Sequence, residues 1–158
     1  MKSMKEAVEK AVIENSVLID KDGLSNLYGA VLKIAGFGLG GILYTAGKKA
    51  AEKGSNLLRD NLGVEGEELI KAMALAFETG NWGKMEVEST EEKTYIVTVT
   101  DNVLVWGLEK NKKKPVCYPL AGYIAGFFEQ AFDTKARVKE VECIAKGDPA
   151  CVFHVAVG

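Results

Sequence analysis

Three cysteines are the residues of this chain best suited to chemistry. Cys143 and Cys151 bracket the segment Cys143-Ile144-Ala145-Lys146-Gly147-Asp148-Pro149-Ala150-Cys151, whose Lys-Gly-Asp-Pro centre is a strong turn signal. A tight turn brings both sulfurs within reach of one ion. Cys117 stands just ahead of Pro119, a residue suited to the first turn of a helix. Thiolates are good ligands for Zn²⁺, which takes four donors at ~2.0–2.3 Å. The C-x7-C spacing is looser than the usual zinc patterns, and two other fates compete with metal. A buried cysteine also serves as a compact apolar residue, and a Cys143–Cys151 disulfide would fit across a hairpin. Three is an odd number, which suits thiol or metal chemistry in a reducing compartment better than a disulfide framework.

The fourth ligand is not fixed by residue type. His154 is the only histidine, three positions beyond Cys151. Residues at odd separation on a regular strand face opposite sides, so His154 should point away from the Cys151 sulfur. The same parity separates Glu140 from Cys143, and Glu142 adjoins Cys143. A bulge would remove the objection for Glu140. At this level the carrier of the fourth bond stays open.

The elements that must hold these residues read as follows. Apolar positions at Ala7, Val8, Ala11 and Val12 predict a helix over 2–15. Val17–Ile19 reads as a brief extended piece before a turn at 20–23. Ser25 or Asn26 is then the expected cap of a second helix to about Ala35. After Gly36, Gly38, Gly40 and Gly41, a helix is expected from about Ile42 to Leu58, and another over 65–78. The period then changes to two. Met85 and Val87, then Tyr95, Val97 and Val99, alternate with polar residues around a turn at 89–92, which is a hairpin. Val103–Leu108 prolongs the strand or begins a loop. A helix from Pro119 to about Phe132 and a second hairpin, 137–145 with 150–157, complete the chain. This order is α+β, an antiparallel sheet of two hairpins packed against several helices in a single domain. Residues 1–35 read as an N-terminal helical and extended segment packed on a domain spanning 36–158.

The totals exclude several classes. At 158 residues, 47% hydrophobic and 27% charged, the chain can bury a core. A net charge of −2 offers no general attraction to nucleic acid. The lysines at 110 and 112–114 read as a solvated turn. No apolar run is long enough to span a membrane, since the stretch 31–46 is interrupted by Lys33 and four glycines. With no leader-like start either, a cytoplasmic location is expected. The glycine run lacks the preceding strand and following acidic strand of a dinucleotide site, so close helix packing explains it better. No catalytic constellation is legible: His154 has no identifiable partner, and Glu67-Glu68 and Glu91-Glu92 read as solvated pairs. Among the aromatics, Trp82, Trp106 and Tyr118 are candidates to line an apolar pocket, against the ordinary role of aromatics as core.

The terminal segment, Glu140-x-x-Cys143-x3-Gly147-x3-Cys151-x-Phe153, resembles the signature of the 4-vinyl reductase domain family. That family includes the sensor domains of aromatic-responsive transcription activators and is similar in fold to vesicle-tethering subunits. The resemblance implies a zinc ligand set of Cys117, Glu140, Cys143 and Cys151, and therefore a local bulge beside Glu140. Four protein ligands leave no open position, so the zinc it implies is structural. It also implies binding of a small hydrophobic or aromatic molecule, as sensor or carrier, and a homodimer. An enzyme or accessory in reduction of a vinyl-tetrapyrrole is one alternative, although no flavin or nicotinamide fingerprint accompanies the motif. A scaffold subunit of a complex is another.

Overall fold

The computed structural model describes residues 2–34 and 38–158. Five helices and four strands follow the order α1 (Met4–Glu14), α2 (Lys21–Ile34), α3 (Leu39–Leu62), α4 (Gly66–Thr79), β1 (Lys84–Glu91), β2 (Thr94–Thr100), α5 (Tyr118–Phe132), β3 (Ala136–Glu142) and β4 (Cys151–Val157). All pairings are antiparallel, in the order β1-β2-β4-β3, so the two hairpins join through β2 and β4. The sequence-predicted α+β class is the class observed.

One face of the sheet is apolar. Tyr95, Val97 and Val99 of β2 and Cys151, Phe153, Val155 and Val157 of β4 are buried at alternate positions. Helix α5 lies against β3 and β4, and α4 against β1 and α5. His154, Arg137 and Lys139 face the other way and are exposed. The apolar layer between contains Phe127, Phe128, Ile124, Leu69 and Met73, all almost fully buried.

Helices α3 and α5 approach unusually closely, and glycine permits it. A Cβ on Gly47 would lie 2.0 Å from the Pro119 carbonyl oxygen, and one on Gly122 would lie 1.9 Å from that of Tyr44. The expectation that glycines serve helix packing is thus met outside the 36–41 run and, within it, at Gly40, where a Cβ would lie 2.9 Å from the Tyr118 ring of α5. Gly36 lies outside the described residues, and a Cβ on Gly41 would meet nothing. Gly38 caps α3 with φ 95°, a backbone angle glycine adopts without strain.

Local starts and stops differ from expectation in several places. Helix α2 begins at Lys21, because the Asp20 carboxylate accepts the Gly23 N–H at 2.6 Å and acts as the cap assigned above to Ser25 or Asn26. Ser25 is instead buried and accepts the Gly107 N–H at 2.7 Å. After β2, Val103–Val105 forms a short 3-10 turn, capped by the Asn102 side chain, which accepts the Leu104 N–H.

Candidate metal centre

Each cysteine arrives by a different local device. Cys117 is the N-cap residue of α5, and its carbonyl accepts the Ala121 N–H at 2.9 Å. The preceding carbonyl, of Val116, accepts the hydroxyl of buried Tyr28, which ties this entry to α2. Burial and nearby Cys117 push the Tyr28 phenol well above its ordinary range, so it stays a donor. Cys151 opens β4 on its buried face, opposite Val99. Cys143 follows the last residue of β3 and caps a 3-10 turn, Ile144–Lys146, which leads to Gly147 at φ 99°. That turn replaces the expected last residues of the strand. Its closure is locked by Asp148, whose carboxylate accepts the Cys143 N–H at 2.9 Å.

Glu140 reaches the same place through an irregularity. In the β3–β4 register Glu140 pairs with Phe153 and Glu142 with Val152, which leaves Val141 as an extra residue. The bulge expected beside Glu140 is there. It cancels the parity conflict, so Glu140 and Cys143 share the inner face. The Glu140 carboxylate accepts the Cys117 N–H at 2.9 Å through Oε2.

The result is a compact donor set. Sγ of Cys117 lies 3.9 Å from that of Cys143 and 3.8 Å from that of Cys151. One ligand atom from each of Cys117, Glu140, Cys143 and Cys151 can be chosen with all four within 4.8 Å of one another. Three thiols tetrahedrally placed on Zn²⁺ at ~2.3 Å would stand ~3.8 Å apart. The separations match that figure and are far too long for disulfides, and all three cysteines are free. Moreover, Glu140 Oε1 is buried without a hydrogen-bond partner. A buried carboxylate oxygen without a donor is costly, and a cation would satisfy it. The residues fit a divalent metal.

Electrostatics point the same way. Hydrogen bonds from Cys117 and Cys143 pull the Cys151 thiol down to about 4, against the effect of burial, with help from the Ile144 N–H and Asn102. The bonds with Cys143 and Cys151 push Cys117 well up. Burial, then the charge of Cys143, raises Glu140 to about 8. Such divergence is the sign of several anionic groups competing for one site with no positive charge between them.

One contributor escaped sequence reasoning. Asn102 is almost fully buried, and its Nδ2 donates to Sγ of Cys117 at 3.4 Å and of Cys151 at 3.5 Å. Its place just after β2 gave no spacing signal.

A cleft of about 400 Å³ adjoins this centre. Its walls are Ala46, Gly47 and Ala50 of α3, Phe77 of α4, Trp82, Leu104, and Pro119, Leu120 and Tyr123 of α5. No charged side chain is among them. Ala46 and Ala50 are exposed, so the cleft is open along α3. Of the three aromatic candidates, Trp82 lines this cleft. Tyr118 lines a second cavity, also about 400 Å³, beside Lys114, Lys139 and Glu140. Trp106 is on neither wall; it is half exposed, with the Lys21 ammonium 4.6 Å from its ring centre.

Residues 95–157 match the family model of the vinyl-4-reductase (V-4-R) domain. The likeness read from the last hairpin thus extends across the matched segment, from β2 to β4. An uncharacterized protein of Methanocaldococcus jannaschii is 35% identical over 81 residues, 51% of this chain and 42% of that protein. The chain spans about half the length of the curated relatives it matches.

Solved structures extend the likeness to the whole fold. The phenol-responsive sensory domain of the transcription activator PoxR, solved with phenol, has a TM-score of 0.74 at 13% identity over 99% of this chain and 91% of that one. A vinyl-4-reductase family protein of M. jannaschii has a TM-score of 0.62 at 22% identity, covering 100% and 97%. A trafficking protein particle complex subunit 3 of Naegleria fowleri, covalently bound to palmitic acid, has a TM-score of 0.64 at 16% identity, covering 98% and 96%. At these identities the agreement is one of fold. Among the described residues no helix is long and apolar enough to cross a membrane.

Proposed function

We propose that this chain is a zinc-stabilised receptor domain for a small, uncharged hydrophobic or aromatic molecule. The observation that carries it is one of continuity: Cys117 belongs to the donor set, while Pro119 and Leu120, two and three residues on, form a wall of the cleft. An ion held by Cys117, Glu140, Cys143 and Cys151 would fix the start of α5 and so that wall. Zinc would supply structural cross-linking, because four protein donors leave no position for water or substrate. The uncharged lining favours a ligand without formal charge, since a buried charge would lack a partner. The PoxR sensory domain, solved with phenol, and the trafficking subunit, covalently bound to palmitic acid, share this fold and support the reading.

The test has two arms. Metal analysis of protein from zinc-replete medium should return one zinc per chain. Thermal-shift and calorimetric screening of phenols, naphthalenes and neutral lipids should find a binder; a panel in which nothing binds tighter than about 1 mM would end the receptor reading. We also infer that two copies pair through apolar side chains left open near α2, among them Leu18, Leu27 and Ile34. Sedimentation that returns a monomer throughout the micromolar range would reject pairing. Thiol ligands suit a reducing, cytoplasmic setting.

A further inference from the structure

The donor set and the cleft share a single buried side chain. Asn102, 1% exposed, follows β2. Its amide nitrogen donates to Cys117 and Cys151 Sγ at 3.4 and 3.5 Å, as above. Its amide oxygen accepts the Leu104 N–H at 3.1 Å. Leu104 lines the cleft. The neighbouring Val103 N–H donates to the Trp82 carbonyl at 2.9 Å, and Trp82 lines the cleft too. Sulfur, amide and cleft wall are therefore linked by hydrogen bonds joined through the short covalent backbone of residues 102–104.

We propose that Asn102 is a positioning residue that couples the two sites, so that metal on the sulfurs and an uncharged apolar ligand in the cleft strengthen each other's binding. The inference rests on the two-site reading given under Proposed function. The carboxamide is planar and rigid, so its donor and acceptor ends move together. An ion that gathers the sulfurs fixes the donor end; the acceptor end then holds the 103–105 turn and the Trp82 backbone in one arrangement. A ligand seated against Leu104 and Trp82 prefers that arrangement, and linkage makes the effect mutual. The backbone from Cys117 to Leu120 is a parallel path, so removing the amide should weaken the coupling without abolishing it.

Two substitutions separate the ends of the side chain. Asn102→Asp keeps an oxygen for the Leu104 N–H and loses the N–H donors to sulfur; Asn102→Ala loses both. In a Trp106→Phe background, where Trp82 is the remaining tryptophan, zinc is titrated with and without the neutral probe N-phenyl-1-naphthylamine. In the parent, zinc should shift Trp82 emission, and saturating probe should raise zinc affinity about tenfold, within the usual range of coupling between sites. In Asn102→Asp the emission shift should be lost and the coupling should fall to about twofold, with zinc and probe each still bound. A general loosening of the fold would instead lower probe affinity in zinc-free and zinc-loaded protein alike, and that pattern overturns the proposal. So does full coupling retained in either variant. If zinc binds but the probe does not, the receptor reading fails while Trp82 emission still decides this one: a shift that persists in Asn102→Asp overturns it. Should a variant not fold, amide exchange in the parent gives the same decision. Leu104 N–H must exchange faster after zinc is withdrawn while Val97 N–H in mid-sheet does not, and equal change at both overturns the coupling.

Discussion

Glu140 accepts the backbone N–H of Cys117 through one carboxylate oxygen at 2.9 Å, while its other oxygen is buried and meets no donor. The pair thus joins β3 to the head of α5 and leaves one acceptor unmet beside three sulfurs. A purely structural carboxylate would have both oxygens satisfied or would stand in solvent. The half-satisfied state is what a cation ligand would present.

Replacing Cys151 by serine should abolish stoichiometric zinc, measured by plasma emission spectrometry. It should also lower stability in urea by roughly 4 kcal/mol or more, the range for loss of a structural metal. Val17→Ser, at an exposed position far from the donors in the chain, should leave both values alone. Equal stability of wild type and Cys151→Ser would count against structural metal.

Zinc affinity should rise with pH. Glu140 at about 8 and the raised Cys117 both hold protons at neutral pH in the metal-free protein, whereas coordination requires them ionised. Metal uptake near pH 7 should therefore release at least the protons of Glu140 and Cys117, seen as a calorimetric enthalpy that varies with buffer ionisation heat. For Glu140 alone, the sign on metal-free stability follows from its raised folded value. Its contribution is complete below the ordinary carboxyl range near 4.5 and is lost as pH rises through about 8. Cys151 acts oppositely, contributing above the ordinary thiol value of 9.0 and losing it as pH falls through about 4. Glu140→Gln should remove one of the released protons. An unchanged proton count in that variant would exclude Glu140 as a ligand.

Gly122→Ala should destabilise by about 3 kcal/mol, since its methyl would strike a backbone carbonyl and force α3 from α5. Gly41→Ala, with open space around it on α3, should fall within about 1 kcal/mol of wild type and tend to stabilise. Chemical denaturation of the two variants side by side checks the contrast.

Trp82→Ala should weaken binding of N-phenyl-1-naphthylamine about tenfold, the scale for loss of an aromatic wall. Trp106→Ala should leave it unchanged, because that ring lies off the cleft. Fluorescence titration distinguishes them; equal losses would place the probe elsewhere.

What could be read from the letters divides along physical lines. Both hairpins were legible because alternation at Tyr95, Val97 and Val99 is a local property of one buried face. The start of α5 was legible because Pro119 restricts its own backbone. The bulge beside Glu140 followed from parity once a ligand role was supposed. The head of α2 was misjudged because Asp20 and Ser25 are both good caps, and tertiary contact recruits Ser25 to Gly107 instead. The cleft was mostly invisible: Ala46, Gly47 and Ala50 are small residues whose meaning appears only when α5 is laid across them. Asn102 was missed for the same reason, since its partners lie 15 and 49 positions away.

The extra residue at Val141 has a second effect, because β3 is an outermost strand. A straight border of free amides and carbonyls invites another molecule to add its own strand. The kink that follows Glu140 interrupts that border, and exposed Arg137 and Lys139 place charges along the rest. Deleting Val141 would straighten that border while leaving Glu140 and Cys143 two positions apart on one face, so the resulting protein should deposit as fibrous aggregate, followed by thioflavin fluorescence, yet keep its donors together.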